Sequence, residues 1–240
     1  MMHRMLGVAL LCLLALGQGF FGAARGEEGG VFVLGGTRDT GLETVKLLME
    51  RGDDVTALVR VTSDTSALDA LGAPTVVGDA LDRASLDAAL AAGTYRAVIS
   101  SLGTTRGDTR VDYEGNKNAV DAAKAAGIDR FILVSSLGVG DSAGSLSPQA
   151  QEALGEVLKL KEKAETYLID SGLDYTIVRP GNLKSEPATG TGKLWEDPTV
   201  MGSINRADVA QLLLEALDDP ATIGKTYGAV DETLIGVSDF

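Results

Sequence analysis

The sequence predicts an α/β fold, a single doubly wound domain with a mostly parallel sheet, and three observations carry that expectation. Short β-branched apolar runs recur along the chain, each is followed by a longer stretch of helical spacing, and no Pro/Ser-rich linker or internal repeat marks a boundary. The runs do not alternate apolar with polar residues, which suits strands covered on both faces. Strand-helix repetition with right-handed crossovers makes such a sheet parallel.

Taken in order, the first residues do not belong to the domain. Arg4 gives a positive start, Leu6 to Leu16 form an apolar run, and Gly22-Ala23-Ala24 offers small residues for cleavage. Together they read as a secretory-type signal peptide over 1–24, removed after Ala24, with 25–29 a short remnant and 30–240 the domain. Gly17, Gln18 and Gly19 interrupt the run, which falls short of the roughly 20 apolar residues of a membrane span. No stable span is expected after cleavage, an uncleaved anchor being the alternative. The expected destination is the secretory pathway, or alternatively a plastid reached through it.

The strand candidates are 31–34, 55–59, 75–77, 97–100, 131–134 and 175–178, with helices near 41–51, 82–91, 112–126, 150–171 and 206–217. Gly52, Gly93, Gly127 and Gly172 close the first four helices or the turns after them, where a left-handed residue lets the chain leave a helix.

Composition narrows the function. Of 240 residues, 45 % are hydrophobic and 23 % charged, the balance of a folded domain. The net charge of −13 excludes nucleic acid as a natural partner and requires any site for an anion to be locally positive. The only cysteine, Cys12, and the only histidine, His3, lie in the leader. A mature domain without either has no disulfide, no thiolate nucleophile, no Ser-His-Asp arrangement and no ordinary zinc or other metal site.

In an open parallel sheet, ligands bind beyond the carboxyl ends of the strands, so the loops there carry the function. After the first strand comes Gly35-Gly36-Thr37-Arg38-Asp39-Thr40-Gly41, then a helix with Leu42, Val45, Leu47 and Leu48 on its apolar face. Gly35 permits a tight turn, Gly41 lets helix and strand pack closely, and free amides at the helix start suit a pyrophosphate. This is the opening of a Rossmann-type dinucleotide site. The second strand ends in Val59-Arg60, where NAD sites usually place an acid for the ribose hydroxyls. A guanidinium pairs instead with the extra phosphate of NADP, so Arg60 points to NADP unless it is a solvated surface arginine.

The run Gly35 to Gly41, Val59-Arg60, Val77-Gly78-Asp79, Ser101-Leu102-Gly103-Thr104, Val134-Ser135-Ser136 and Arg179-Pro180-Gly181 resembles the atypical short-chain dehydrogenase/reductases. More closely, it is similar to the NAD(P)H-binding group of flavin reductase and biliverdin-IXβ reductase. The resemblance implies that Thr37 and Thr40 bond the phosphates, Asp79 meets the adenine, and Leu102, Gly103 and Thr104 line the nicotinamide half. It also implies that Ser135 and Ser136 sit beneath the reacting ring and that Pro180 borders the cofactor. Arg38 departs from the pattern, standing where relatives usually carry glycine. Either it joins Arg60 in gripping the 2′-phosphate or the site has decayed.

Ordinary short-chain dehydrogenases use a Tyr four residues before a Lys to pass a proton. Lys161 fits the lysine position, but Val157 stands four residues earlier, so the pair is missing. Several of the relatives it resembles also lack the tyrosine and still reduce acceptors such as flavins, quinones or tetrapyrroles, whose reduced forms can take a proton from solvent. The resemblance therefore implies NADP-dependent hydride transfer to a small-molecule acceptor, with Ser136 donating a hydrogen bond to it and Lys161 holding the nicotinamide ribose. A non-catalytic NADP-binding sensor or assembly factor is the alternative, as is a surface lysine for Lys161. The segment from Asn182 to Met201 is expected to cover the acceptor, with Trp195 either stacking on it or anchoring the segment. Asn205 reads as the cap of the last helix and Asp208 as part of its first turn.

Overall fold

The computed structural model describes residues 29–104 and 108–236. The expected leader over 1–24, with His3, Cys12 and its expected cleavage site, lies outside the described residues. Six strands fall where the apolar runs place them: β1 (Gly30–Leu34), β2 (Val55–Val59), β3 (Thr75–Val77), β4 (Tyr95–Ser100), β5 (Arg130–Val134) and β6 (Asp174–Pro180). All pair in parallel, in the order β3-β2-β1-β4-β5-β6. The order reverses direction at β1 and β4, the crevice where such sheets take ligands.

Four more strands do not show as apolar runs: β7 (Asn182–Lys184), β8 (Gly192–Trp195), β9 (Ser203–Asn205) and β10 (Lys225–Asp231). β10 extends the sheet parallel to β6, β8 pairs antiparallel to β10, and β7 and β9 form a separate parallel pair. Glycine weakens a strand signal, and Gly228 sits mid-strand in β10 for a packing reason. A Cβ there would lie 2.6 Å from Val200 Cγ1.

Helices α1 (Asp39–Arg51), α2 (Ser66–Leu71), α3 (Arg83–Leu90), α4 (Asn116–Ala125), α5 (Pro148–Asp170) and α6 (Arg206–Asp218) connect the strands. α2 escapes the sequence pattern because it buries only Leu68 in six residues, too short to show a period. The helix expected from 112 begins instead as a π-turn over Val111–Gly115 that runs into α4. α5 starts as its sequence dictates: the Ser147 hydroxyl accepts the Ala150 N–H, with Pro148 in the first turn. Gly52, Gly127 and Gly172 are left-handed, as expected, at φ of +85°, +72° and +80°. Gly93 is not, which corrects its expected role; a Cβ at Gly93 would meet the Tyr95 ring at 2.7 Å.

Successive strand side chains alternate between two cores. Val31 and Val33 face α1 and α6 in one cluster, whereas Phe32 and Leu34 pack with residues of α3, α4 and α5 in the other. Burial on both faces is what the unbroken apolar runs required. Among the described residues, no helix is long and apolar enough to cross a membrane.

Candidate functional site

The glycine turn is built by contact. Gly35 has φ of +78°, and a Cβ on Gly41 would sit 2.2 Å from the Gly35 carbonyl and 2.4 Å from Ser101 Oγ. Only glycine at both positions lets the start of α1 lie against the end of β1, leaving the early amides of α1 without intrahelical partners. Arg38 precedes the helix in extended backbone with no capping bond, its side chain 64 % exposed. Asp39 holds φ of +54°, a left-handed conformation that costs a non-glycine residue of order 1 kcal/mol. Its carboxylate lies between two guanidiniums, with Arg206 Nε at 3.2 Å and Arg38 Nε at 3.6 Å. Arg206 also donates to the Leu183 carbonyl and the Ser185 hydroxyl, so α6 ties the turn to the segment after β6.

Arg60 stands exposed at the end of β2. Its backbone N–H donates to Ser63 Oγ, and Arg60 and Arg38 follow the carboxyl ends of the paired strands β2 and β1. Thr37 is half-buried, and Thr40 is buried. Asp79 is exposed after β3, but its carboxylate accepts the Leu81 N–H and shapes its own turn.

At the end of β4, Leu102, Gly103 and Thr104 run half-buried toward the π-turn. There the structure assembles a group that the sequence did not single out as a unit. Asp112, fully buried, places Oδ1 3.2 Å from Lys161 Nζ and 3.3 Å from the Thr104 N–H nitrogen that donates to it. Lys161 is 14 % exposed at its side chain and is therefore no free surface lysine. The π-turn is held by Asn116, whose amide donates to the Val111 and Asp112 carbonyls while its Oδ1 accepts from Ser100 Oγ. Asp112 and Asn116 were the residues missed. Asn116 stands at helical spacing from Ala119, Val120 and Ala123 on the buried face of α4, and Asp112 lies four residues before it, so a polar pair on an apolar stripe was the signal available.

Ser135 follows β5 with a buried Oγ that has no hydrogen-bond partner, and Ser136 donates to the Leu137 carbonyl at 2.9 Å. Pro180 ends β6 buried, its carbonyl accepting the Leu137 N–H. Beneath, Arg179 makes paired bonds to Glu165 and a further one to Asp141. Burial opposes its charge, but Glu165 and then Asp141 outweigh that and make the guanidinium more basic than usual. Trp195 resolves toward anchoring: its indole N–H donates to the Val230 carbonyl, and the ring packs on Leu137, Val200 and Val230. Asn205 precedes α6 but does not cap it, since its amide donates to the Pro187 carbonyl. Asp208 accepts the Thr189 and Gly190 N–H groups instead. A recess lined by Gly29, Gly30, Asp54, Thr56 and Tyr95 lies at the amino ends of β1, β2 and β4, away from all these residues.

A parallel sheet with a glycine turn at its switch point defines a dinucleotide-binding α/β protein. The chain belongs to the NAD(P)H-binding family, whose model matches residues 35–220. It is 35 % identical over 203 residues to an uncharacterized sugar epimerase, YhfK, of Bacillus subtilis, covering 82 % of this chain and 92 % of that one. It is 38 % identical to the uncharacterized chloroplastic protein At2g34460 of Arabidopsis thaliana, covering 78 % and 71 %. Among solved structures it is similar to ChuY, an anaerobilin reductase from Escherichia coli O157:H7, with a TM-score of 0.77 and 31 % identity, covering 88 % of this chain and all of that one.

Proposed function

We propose that the protein is an NADPH-dependent reductase that delivers hydride to a small planar acceptor of flavin, quinone or tetrapyrrole kind. The observation that carries this reading is the convergence, at the carboxyl ends of β1, β4 and β5, of a glycine turn, the Lys161–Asp112 pair and two serine hydroxyls. The residues fit a dinucleotide: the cradle at Gly35 and Gly41 admits no Cβ, and the buried Ser135 hydroxyl lacks a partner. NADPH, when bound, supplies the hydride.

The chain's own part is to hold and to donate. Amides at the start of α1 receive the pyrophosphate, with Thr37 and Thr40 beside it, and Arg38 and Arg60 take the 2′-phosphate. Asp79 borders the adenine, and Leu102, Gly103, Thr104 and Pro180 border the nicotinamide half. Lys161 holds the nicotinamide ribose, and Ser136 exchanges its bond to the Leu137 carbonyl for one to the acceptor. Val157 leaves no tyrosine to pass a proton, which suits an acceptor whose reduced form is protonated by solvent. The same absence disfavours epimerase chemistry and keeps a non-catalytic binding protein as the second reading. The relationship to an anaerobilin reductase supports a tetrapyrrole-like acceptor.

Titration of residues 30–240 with NADPH and NADH tests the cofactor, and an acceptor panel then tests turnover. The wild type is expected to prefer NADPH, and Arg60→Ala to lose about tenfold or more of that preference. Equal affinity for both cofactors would end the NADP assignment; tight binding with no turnover would leave the binding protein. A fluorescent fusion of residues 1–28 separates secretory entry from onward delivery to a plastid, the compartment in the Arabidopsis relative's name.

A further inference from the structure

Asp112 is buried to 0 % exposure, yet it is only half bonded: Oδ1 serves both Lys161 and the Thr104 N–H, and Oδ2 has no donor. A half-satisfied buried carboxylate is a poor device for stability, because its desolvation is incompletely offset. Its surroundings are nonetheless specialised. Asp112 sits buried in the π-turn that opens α4, and Asn116, four residues on, holds that turn by donating to the Val111 and Asp112 carbonyls. Gly103 keeps the passage open, since a Cβ there would fall 3.1 Å from Lys161 Nζ and 3.4 Å from Asp112 Oδ1. Lys159 and Lys163, two residues to either side on α5, are exposed; Lys161 alone of the three is drawn under the loop after β4.

We infer that Asp112 is a positioning residue, whose buried carboxylate holds the Lys161 ammonium against the Gly103–Thr104 loop so that it meets the nicotinamide half of the dinucleotide. Without that charge the flexible lysine stem carries its ammonium out to water. Because the same oxygen accepts the Thr104 N–H, Asp112 fixes the loop and the lysine relative to each other. The inference rests on the proposed binding of the dinucleotide at this edge, but not on turnover.

The test compares Asp112→Asn, Lys161→Met and the double variant with the wild type in calorimetric titrations. One ligand is NADPH. The other is adenosine 2′,5′-bisphosphate, which carries the adenosine half of NADP and lacks the nicotinamide half. Each single variant is expected to weaken NADPH about tenfold while leaving the fragment within about twofold. The double variant should bind NADPH no worse than either single, because the two residues act as a unit.

Unchanged NADPH affinity in Asp112→Asn, or equal losses for NADPH and the fragment, would overturn the positioning role alone. A wild type that bound neither ligand would remove the cofactor reading and this inference together.

Discussion

Two aspartates at the carboxyl edge of the sheet are equally buried and entirely different in their surroundings. Asp231, at the end of β10, uses both oxygens: it accepts from the hydroxyls of Thr189, Thr191 and Thr233 and from the Thr233 N–H. Burial pushes its carboxyl up, but the bonds from Thr189, Thr233 and Thr191 outweigh it and bring the pKa to about 2. Asp112 uses one oxygen and leaves the other without a donor. Full satisfaction makes a joint, here tying the segment after β6 to the sheet. Incomplete satisfaction marks a place kept for something other than stability. At the amino edge Arg130 follows the first pattern: buried, it donates to the Asp174 and Ala216 carbonyls and to the Thr176 and Thr222 hydroxyls.

If that division holds, the best-bonded group should matter most to folding and least to binding. Arg130→Met is expected to lower stability in urea by about 3 kcal/mol, because buried carbonyl and hydroxyl acceptors lose a charged donor, with NADPH affinity of the folded protein unchanged. A weakened cofactor affinity at full stability would break the comparison.

Asp231→Ala comes next, with an expected loss at neutral pH of about 1–3 kcal/mol from hydrogen bonds to a charged group. The pH dependence carries a definite sign. A carboxyl lowered from 3.8 to about 2 on folding contributes fully above its unfolded value and loses that contribution as pH falls through its folded one. Wild-type and variant stabilities should therefore converge between about pH 4 and pH 2; a gap independent of pH would show that the clasp owes nothing to charge. Asp53 and Asp121 are also held below the usual carboxylate range, so the difference between the two proteins, not the wild-type curve, isolates Asp231.

The smallest effect sharpens the other half of the comparison. Gly103→Ala puts a methyl 3.1 Å from Lys161 Nζ, the mobile end of a flexible side chain, so stability should change by less than about 1 kcal/mol. NADPH affinity, followed by nicotinamide fluorescence, is expected to drop about fivefold as the pair is displaced. A stability loss without an affinity loss would make Gly103 a packing residue.

Much of the fold was visible in the amino acids because it rests on local rules. Six apolar runs became six parallel strands, and Gly35 and Gly41 made the turn that their spacing implied. β10 was hidden by Gly228, and Gly93 was bare to admit the Tyr95 ring rather than to turn the chain. Those glycines answer to neighbours distant in space or to side-chain volume, which no pattern of spacing records.

The site divides in the same way. Residue type and position in the chain determined the glycine turn, the loss of the Tyr-Lys pair at Val157 and the placement of Arg60 at the end of the second strand. Only the tertiary structure decided that Asp112 turns inward, that it meets Lys161 from a helix 49 positions along the chain by numbering, and that Arg206 answers Asp39. The reason is physical: a periodicity reports which face of an element is apolar, whereas the partner of a buried charge is chosen by how separate elements pack.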